Sequence, residues 1–406
     1  MELGLLPEDW EVAKLGDIGY FLKGNGISKS QANSGDLCAV RYGELYTLHH
    51  NYIKTYNSHI SKEVALFATK IQKGDILFAC SGETKEEIGK CAAFVDEVEA
   101  YAGGDILILR TDQEKCSDIF LGFLLNMPIA ANQKEAKGQG DAVVHISKAS
   151  LENLSIPLPP IEEQRRIASA LTSIDNLIDS LDRLIAKKRA IKQGVMQQLL
   201  SGKKRLKGFT EPWVEKRLGE ILSLKNGFAF KSETYCAIGK YKIITIANVQ
   251  NGRFDLTDYN SVTDIPASIQ QHQKLSIGDI LISMTGNVGR VCRVDSSNCL
   301  LNQRVGLLEI RPNVNSDFVF TALNTNAFEN AMRDKGQGAA QANISKSDIE
   351  DYVLLMPSSL LEQQAIASVL TSMDNELSAL EAKRQKYEQI KRGMMQQLLT
   401  GRIRLK

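Results

Sequence analysis

Two glycine-rich segments combine an amide side chain with a nearby lysine. Gln139 lies between two glycines shortly after Lys137, and Gln337 lies between two glycines shortly after Lys335. Glutamine can form two hydrogen bonds with an adenine edge, and lysine can bind a guanine or a phosphate. Contact with bases or phosphates is one interpretation of these segments. The other is that the glycines only form a turn.

Polar residues also end two apolar segments that alternate like β-strands. Arg41 and Tyr42 follow the first segment, and Asn248 ends the corresponding segment in the second half of the chain. Guanidinium and amide groups suit base-edge hydrogen bonding. These three residues are therefore candidates for contact with a nucleic acid, with a purely structural role as the alternative.

No constellation of residues indicates catalysis or metal binding. Gly82 to Lys90 superficially resembles a phosphate-binding loop, but six residues separate its two glycines and Cys91 stands where Ser or Thr would bind magnesium. The histidines lack ligand spacing, the seven cysteines form no CxxC pair, and no Asn-Pro-Pro-aromatic motif of amino-methyltransferases is present. We expect a non-catalytic chain that binds no metal or cofactor.

Charge is concentrated in two segments. The net charge of the 406 residues is only +1, which argues mildly against a free-standing DNA-binding protein, since these are usually basic. Yet residues 183–207 contain nine Lys or Arg and no acid, and residues 383–406 contain eight against one acid. The sequence has no apolar stretch of membrane-spanning length and begins without a basic, apolar leader. We expect a cytoplasmic protein with no membrane contact.

The basic segments belong to an internal repeat. Residues 161–207 align without a gap with residues 360–406, and about half of the positions are identical. Upstream, the copies share only landmarks, such as Gly-Asp-Ile-Leu followed by Ser81-Gly82 or Thr285-Gly286. A repeat of this length is a domain pair and not a solenoid. One shared scaffold therefore carries two divergent surfaces.

The two parts of each copy predict different structures. Short apolar runs bounded by turn residues predict strands in the upstream part, with a few helices, and hence an α+β domain. The downstream part predicts one long helix, ending near Gly202 in copy one and Gly401 in copy two. In copy two, Ser359 and Glu362 fit a capping box. The predicted domains are 1–158 and 208–357, and the predicted helical regions are 159–207 and 358–406.

The helices carry apolar stripes that need a partner. Copy one has a seam at Ile174, Leu177, Leu181 and Leu184, and copy two has a weaker one. Because both copies lie in one chain, we expect the two helices to form an antiparallel coiled coil. That pairing would relate the copies by a pseudo-twofold axis and place the upstream domains at opposite ends. The matched Gly194 and Gly393 suggest a bend or a close contact.

The motifs together resemble those of a known family. Pro157-Leu158-Pro159-Pro160 followed by Glu163-Gln164 and Ile167 resembles the junction between a target recognition domain and its helix in type I restriction-modification specificity subunits. The Met-Gln-Gln-Leu-Leu motifs at 196–200 and 395–399 resemble a second hallmark of this family. The resemblance covers essentially the whole chain twice, in order. Copy two departs from it with Met-Pro-Ser-Ser at 356–359.

The resemblance implies a mechanism. Each recognition domain would read one half of a bipartite double-stranded DNA target, and the helix pair would set the spacer. Two modification subunits carrying S-adenosylmethionine would dock on the helical regions and methylate an adenine in each half-site. Restriction subunits using ATP and Mg²⁺ would cleave unmodified DNA.

The resemblance also implies site residues. Ser81 and Thr285 join Arg41, Lys137 and the other residues above as DNA contacts. The repeated helical regions suggest six partner-docking residues, which are Gln164, Ile167, Gln363, Ile366, Gln197 and Gln396. For Gln164 and Gln363, a structural role at the junction is the favoured alternative. The alternatives for the whole chain are a stand-alone DNA-binding regulator and a nucleic-acid-modifying enzyme with an unrecognised site.

Overall fold

The computed structural model describes residues 6–336 and 342–406. The chain divides into two compact units. Unit 1 comprises Met1–Asp182 and Ala382–Lys406, and unit 2 comprises Arg183–Glu381. Each unit thus contains one upstream domain with a segment of each long helix. None of the described helices is long and apolar enough to cross a membrane.

Unit 1 contains two four-stranded sheets and two smaller ladders. The strands are β1 (Glu11–Lys14), β2 (Gly19–Lys23), β3 (Leu37–Val40), β4 (Ser58–Ile60), β5 (Thr69–Ile71), β6 (Asp75–Ala79), β7 (Ser81–Gly82), β8 (Cys91–Ala93), β9 (Ala100–Ala102), β10 (Ile106–Thr111), β11 (Val144–His145) and β12 (Ser155–Leu158). The helices are α1 (Tyr42–Thr47), α2 (Lys62–Ala65), α3 (Asp118–Leu124), α4 (Pro128–Lys137), α5 (Lys148–Glu152) and α6 (Ile161–Leu200), of which the last continues into unit 2.

The strand orders of unit 1 are β2-β10-β6-β8 and β4-β3-β9-β5, with β3 and β9 parallel. Side chains alternate across the buried strands β6 and β10. Ile76 and Phe78 face a core that also contains α3 and Leu171 of α6, whereas Leu77 and Ile108 face a second core on the other side. Burial of both faces explains why these strands are almost continuously apolar.

Unit 2 repeats this topology. The strands are β13 (Trp213–Arg217), β14 (Leu222–Asn226), β15 (Tyr241–Ile244), β16 (Val249–Gln250), β17 (Arg253–Phe254), β18 (Asn260–Val262), β19 (Lys274–Leu275), β20 (Ile280–Ser283), β21 (Val291–Arg293), β22 (Cys299–Leu301), β23 (Val305–Ile310) and β24 (Val353–Pro357). The helices are α7 (Leu218–Ile221), α8 (Ser316–Leu323), α9 (Asn326–Lys335), α10 (Lys346–Glu350) and α11 (Leu360–Leu398), of which the last continues into unit 1.

The strand orders of unit 2, β14-β23-β20-β21 and β18-β15-β22-β19, match those of unit 1. The parallel pair also recurs, here between β15 and β22. The prediction of an α+β fold with two tandem domains and long helices is confirmed.

Charge complementarity pairs the helical segments within each unit. In unit 1, Asp175 of α6 binds Lys391 of α11 at 2.5 Å, and Asp182 binds Arg384. As the residue number increases along α6, the number of its partner on α11 decreases. The two segments therefore run antiparallel, as predicted. In unit 2, Lys188 binds Glu376 at 2.7 Å. The basic second half of each helix therefore pairs with the acidic first half of the other.

The apolar seam of α6 differs from the predicted one. Ile174, Ile178 and Leu181 are buried, whereas Leu177 and Leu184 are 37% and 38% exposed. Both stripes satisfy the alternating spacing of three and four residues that a coiled coil requires. The sequence pattern alone therefore could not select between them, and packing within the unit does.

The helix ends confirm one part of the capping prediction. Gly202 and Gly401 adopt φ of +67° and +71°, a left-handed conformation that ends a helix and favours glycine. The Glu362 carboxylate, in contrast, binds Arg205 and Trp213, which is not the capping-box role that was predicted. A β-carbon at Gly194 or Gly393 would meet no atom within 4 Å, so neither glycine mediates a close contact.

Candidate nucleic-acid interface

The strands of the smaller sheet in unit 1 end at one common edge. Val40 at the end of β3 pairs with Ala102 at the end of β9, and Thr69 at the start of β5 pairs with the same residue. Gly103, which follows Ala102, donates its backbone N–H to the Val40 carbonyl at 2.9 Å. Arg41 and the segment before Thr69 therefore lie side by side at this edge of the sheet.

Backbone hydrogen bonds extend this edge to the other sheet. Gly24, just after β2, donates to the carbonyl of Ile106, and Cys80, just after β6, donates to Asp105, both at 2.8 Å. We call the continuous rim formed by residues 23–27, 41–42, 66–69, 80–82 and 103–105 edge 1. It unites loops that lie far apart in the sequence.

A short ladder brings more polar groups to edge 1. Ser81 Oγ lies 3.0 Å from His145 Nδ1 across the β7–β11 pair. Gln139 exchanges two backbone hydrogen bonds with His145, at 2.9 and 2.7 Å, which leaves its exposed side chain beside this pair. The structure thus brings Ser81 and Gln139 together, with half-buried Lys137 at the end of α4 two residues away.

Helix α1 contributes aromatic groups next to Ser81. Tyr46 donates its hydroxyl to the Ser81 carbonyl at 3.1 Å, and Tyr42 lies one turn earlier, 38% exposed. Burial raises the pKa of Tyr46 well above its usual range, so its phenol stays a neutral donor. Arg41, at the N-terminus of this helix, is half-buried.

Unit 2 builds an equivalent rim. Asn302 donates to the Ile244 carbonyl at 3.1 Å, Gln303 donates to Phe228 at 2.9 Å, and Met284 donates to Arg304 at 3.0 Å. We call residues 226–228, 245, 272–274, 284–286 and 302–304 edge 2.

The polar pair beside edge 1 has a counterpart beside edge 2. Thr285 donates its hydroxyl to Asn343 Oδ1 at 2.9 Å, in the place of Ser81 and His145. Lys335 is exposed at the end of α9. Gln337 lies outside the described residues. The scaffold is therefore repeated while the side chains differ.

Asn248 has a structural role. Its side chain is buried; Oδ1 accepts hydrogen bonds from the backbone N–H and hydroxyl of Thr245, and Nδ2 donates to the carbonyls of Asp255 and Asp258, each at 2.8 Å. All four hydrogen-bonding positions of the amide are thus occupied. We therefore remove Asn248 from the candidate DNA contacts.

Edge 2 contains two further polar residues that the sequence motifs do not indicate. Gln303 and Arg304 are exposed, and neither side chain has a hydrogen bond or ion pair in the described part of the chain. They lie between the buried strands β22 and β23, so two polar residues between apolar runs were the available signal. The corresponding turn of edge 1 contains Gly104 and Asp105 instead.

Four of the six predicted docking residues are buried at the junctions between domain and helix. Gln164 accepts the N–H of Ser117 and donates to the Lys115 carbonyl, both at 2.9 Å. Gln363 accepts the N–H of Asn315 at 2.9 Å. The apolar neighbours, Ile167 and Ile366, are 0% and 1% exposed. The side chains of these four residues hold each domain to its helix and are buried within the chain. The other two predicted docking residues, Gln197 and Gln396, are exposed.

Each junction also contains a buried carboxylate held by an arginine. In unit 1, Glu163 accepts hydrogen bonds from Arg404 at 2.8 and 2.6 Å and from the Trp10 indole at 3.1 Å. In unit 2, Arg205 binds Glu362 at 2.9 and 2.5 Å. These arginines belong to the basic segments of the sequence, so part of the concentrated positive charge is structural.

Solved structures share this architecture. A crystal structure of the type I restriction-modification S subunit from M. genitalium matches with a TM-score of 0.63 and 16% identity, covering 97% of this chain and 96% of that chain. A chain from a structure described as explaining complex assembly and conformational transition of the type I R-M system matches with a TM-score of 0.57 and 19% identity, covering 98% and 100%. The fold is that of a type I S subunit.

The sequence comparisons identify the family. The model described as the type I restriction modification DNA specificity domain matches residues 7–188 and 210–392, so the chain belongs to this family and carries its domain twice. The MjaVIII specificity subunit of Methanocaldococcus jannaschii is 26% identical over 99% of this chain and 94% of its own length. The EcoKI specificity subunit of Escherichia coli K12 is 24% identical over 88% and 80%. The predicted role as a non-catalytic DNA specificity subunit is confirmed, and nothing in these matches favours a stand-alone regulator.

Proposed function

We propose that edge 1 and edge 2 each read one half of an asymmetric, bipartite double-stranded DNA target. This proposal rests on the observation that the two edges have equivalent backbones but carry different side chains. Ser81 and His145 stand at edge 1 where Thr285 and Asn343 stand at edge 2. Because base identity is read by hydrogen bonds to base edges, different groups on one scaffold select different sequences.

Edge 2 carries the side chain best suited to direct base recognition. Arginine binds the O6 and N7 atoms of guanine through two hydrogen bonds, and a free guanidinium can do so without first breaking an ion pair. Arg304 meets this condition. We therefore assign guanine recognition in the second half-site to Arg304, with Gln303, Thr285 and Lys335 as further contacts. Arg41, Tyr42, Lys137 and Gln139 serve edge 1.

The helices supply the spacer and the docking sites in this proposal. Two modification subunits holding S-adenosylmethionine bind near the exposed Gln197 and Gln396, and restriction subunits using ATP and Mg²⁺ join them in the cytoplasm. Gln197 lines a groove of about 1020 Å³ in unit 2, together with Met196 and Leu355. Such a groove can receive a protein side chain. The predicted domain boundaries of 1–158 and 208–357 define the two exchangeable parts.

Domain exchange tests the proposal. Residues 1–158 are replaced by the corresponding domain of another specificity subunit, and the chimera is expressed with its modification subunits in a host that lacks other methyltransferases. Methylome sequencing should show one changed half-site, with the other half-site and the spacer unchanged. The reciprocal exchange of residues 208–357 is the control and should change the opposite half-site. Changes in both halves by either exchange would contradict the assignment.

A further inference from the structure

Two large apolar side chains project from edge 1. Leu66 is 81% exposed and Phe67 is 73% exposed, directly before strand β5. Single exposed apolar residues are common on protein surfaces, but two adjacent ones of this size at such exposure invite a functional explanation.

The backbone around this pair is well anchored. The amides of Leu66 and Phe67 donate to the carbonyls of Lys62 and Val64 at 3.2 and 3.1 Å, which continues the turn of α2. The neighbouring Ala65 is buried in a small core. The two apolar side chains therefore point outward from a defined turn, while the residues around them supply the packing.

The adjoining loop of edge 1 is strained. Ile27 is buried and has a φ of +60°, which is unfavourable for a β-branched residue. Gly26, the preceding residue, accepts a hydrogen bond from Gly104, and its β-position would lie 3.5 Å from the Phe67 carbonyl. Strain of this kind costs about 1–3 kcal/mol and often marks a ligand-contacting loop.

Two lysines flank the apolar pair. Lys62 lies one turn before Leu66, and the Lys23 carbonyl accepts the Thr69 hydroxyl at 2.8 Å. Both lysine side chains are exposed, and neither forms an ion pair in the described part of the chain. Exposed lysines beside an apolar tip suit contact with phosphates on either side of a base step.

From these observations we propose that Leu66 and Phe67 form a wedge that enters between two base pairs of the first half-site and kinks the DNA there. Apolar wedges of Phe and Leu unstack base steps in this way, at a cost of a few kcal/mol for each step. This inference rests on the proposed function, since edge 1 must face DNA. It adds a contribution from DNA deformability to direct base contacts.

The second domain provides an internal comparison. The segment before β19, the strand equivalent to β5, carries Gln271 and His272, of which His272 belongs to edge 2. Neither is an apolar side chain of the kind that forms wedges, and the His272 ring is held by its Nε2 at 3.1 Å from the Asn226 carbonyl. The wedge is therefore specific to the first domain, and only the first half-site should be kinked by it.

The test uses the chain assembled with its modification subunits and a duplex of the target found by methylome sequencing. 2-Aminopurine, which pairs with thymine and fluoresces more strongly when unstacked, replaces one adenine at a time, on either strand, within and beside the first half-site. The adenine to be methylated is left out, because base flipping would also unstack it. The variants are Phe67→Ala and Leu66→Ala. The control is Ile238→Ala, which removes a side chain that is 94% exposed on unit 2.

We expect the unsubstituted complex to show a several-fold rise in fluorescence at one base step. Phe67→Ala should abolish that rise and weaken binding about tenfold, which is about 1.4 kcal/mol, with assembly unchanged. Leu66→Ala should reduce it, and Ile238→Ala should leave it intact.

Three results would overturn the wedge: no rise in the unsubstituted complex despite specific binding, a full rise with Phe67→Ala, or loss of subunit assembly in that variant. Equal binding of target and scrambled duplexes by the unsubstituted complex would instead refute the proposed function, and the wedge with it.

Discussion

The Arg404 guanidinium binds the buried Glu163 carboxylate with Nη2 2.6 Å from Oε2, so the segment that follows α11 is bound to the first turn of α6. Arg404 also binds Asp9 at 2.7 Å through each of its terminal nitrogens. The arginine thereby joins the N-terminal segment, the first junction and the C-terminal segment of unit 1. Arg205 and Glu362 provide the equivalent pair in unit 2.

Loss of the Arg404 side chain should destabilise unit 1. Arg404→Ala leaves Glu163 buried without its charged partner, and uncompensated buried charges are strongly unfavourable. We expect the Tm of the transition that reports on unit 1 to fall by about 5 °C in differential scanning calorimetry. Adding Glu163→Gln should recover part of this loss, because the neutral amide removes the unpaired charge.

Arg402 supplies the matched control for this prediction. It lies two residues from Arg404 and is exposed, with no ion pair in the described part of the chain. Arg402→Ala should therefore change Tm by less than about 1 °C, as surface substitutions usually do. Equal effects of the two substitutions would show that the Glu163 contact does not stabilise the fold.

The same pair predicts how stability depends on pH. Hydrogen bonds from Arg404, and then from Trp10, lower the pKa of Glu163 below its ordinary value. Its stabilising contribution is therefore complete above the unfolded-state pKa of about 4.3 and is lost as the pH falls through the lower folded-state pKa. Urea unfolding should show the largest difference between the unsubstituted chain and Glu163→Gln near neutral pH, and the difference should shrink below about pH 4. A difference that grows on acidification would contradict this assignment.

Two glycines inside the long helices should be replaceable with a gain in stability. Gly194 and Gly393 are helical, and an added β-carbon would meet no atom within 4 Å. Alanine favours a helix interior over glycine by about 1 kcal/mol, so Gly194→Ala and Gly393→Ala should each raise the free energy of unfolding by about that amount. Urea titration measures the change.

Gly202→Ala is the opposing control, because the residue has a φ of +67° and its β-position lies 3.2 Å from the Trp213 ring. This substitution should be destabilising. A loss of stability in Gly194→Ala or Gly393→Ala would instead reveal a contact that the helices require.

The spacer of the DNA target should follow the length of the helices. Inserting one heptad into residues 173–189 and a matched heptad into residues 372–385 preserves the seam, because a heptad returns each side chain to the same face. We expect methylome sequencing to show a longer spacer between unchanged half-sites. An unchanged spacer, or altered half-site bases, would contradict the role of the helices as a ruler.

The repeated sequence predicted the helices and strands far better than it predicted which of their side chains pack together. Domain order, the long helices and the ends at Gly202 and Gly401 follow from local patterns and from the duplication. The choice between Leu177 and Ile178 for the seam did not, because both obey the same periodicity. Selection between them depends on which surface packs within the unit.

The candidate interface was predictable only in part, for a similar reason. Ser81 and Gln139 were identified from motifs that recur in both copies. His145 reaches edge 1 by pairing with Ser81, a contact between distant segments that no local pattern encodes. For Arg304 the local signal was its position between two apolar runs, which does not reveal the edge that it joins. Asn248 has a suitable residue type, but its surrounding loop consumes all its hydrogen bonds.

The central claim is that each domain reads its own half-site, and Arg304→Ala tests it most directly. The variant is expressed with its modification subunits, Arg402→Ala serves as the control, and methylome sequencing maps every methylated adenine. We predict that Arg304→Ala relaxes or loses a guanine in the second half-site only, while the first half-site and the spacer persist. Unchanged specificity, or simultaneous loss of bases from both half-sites, would contradict the account.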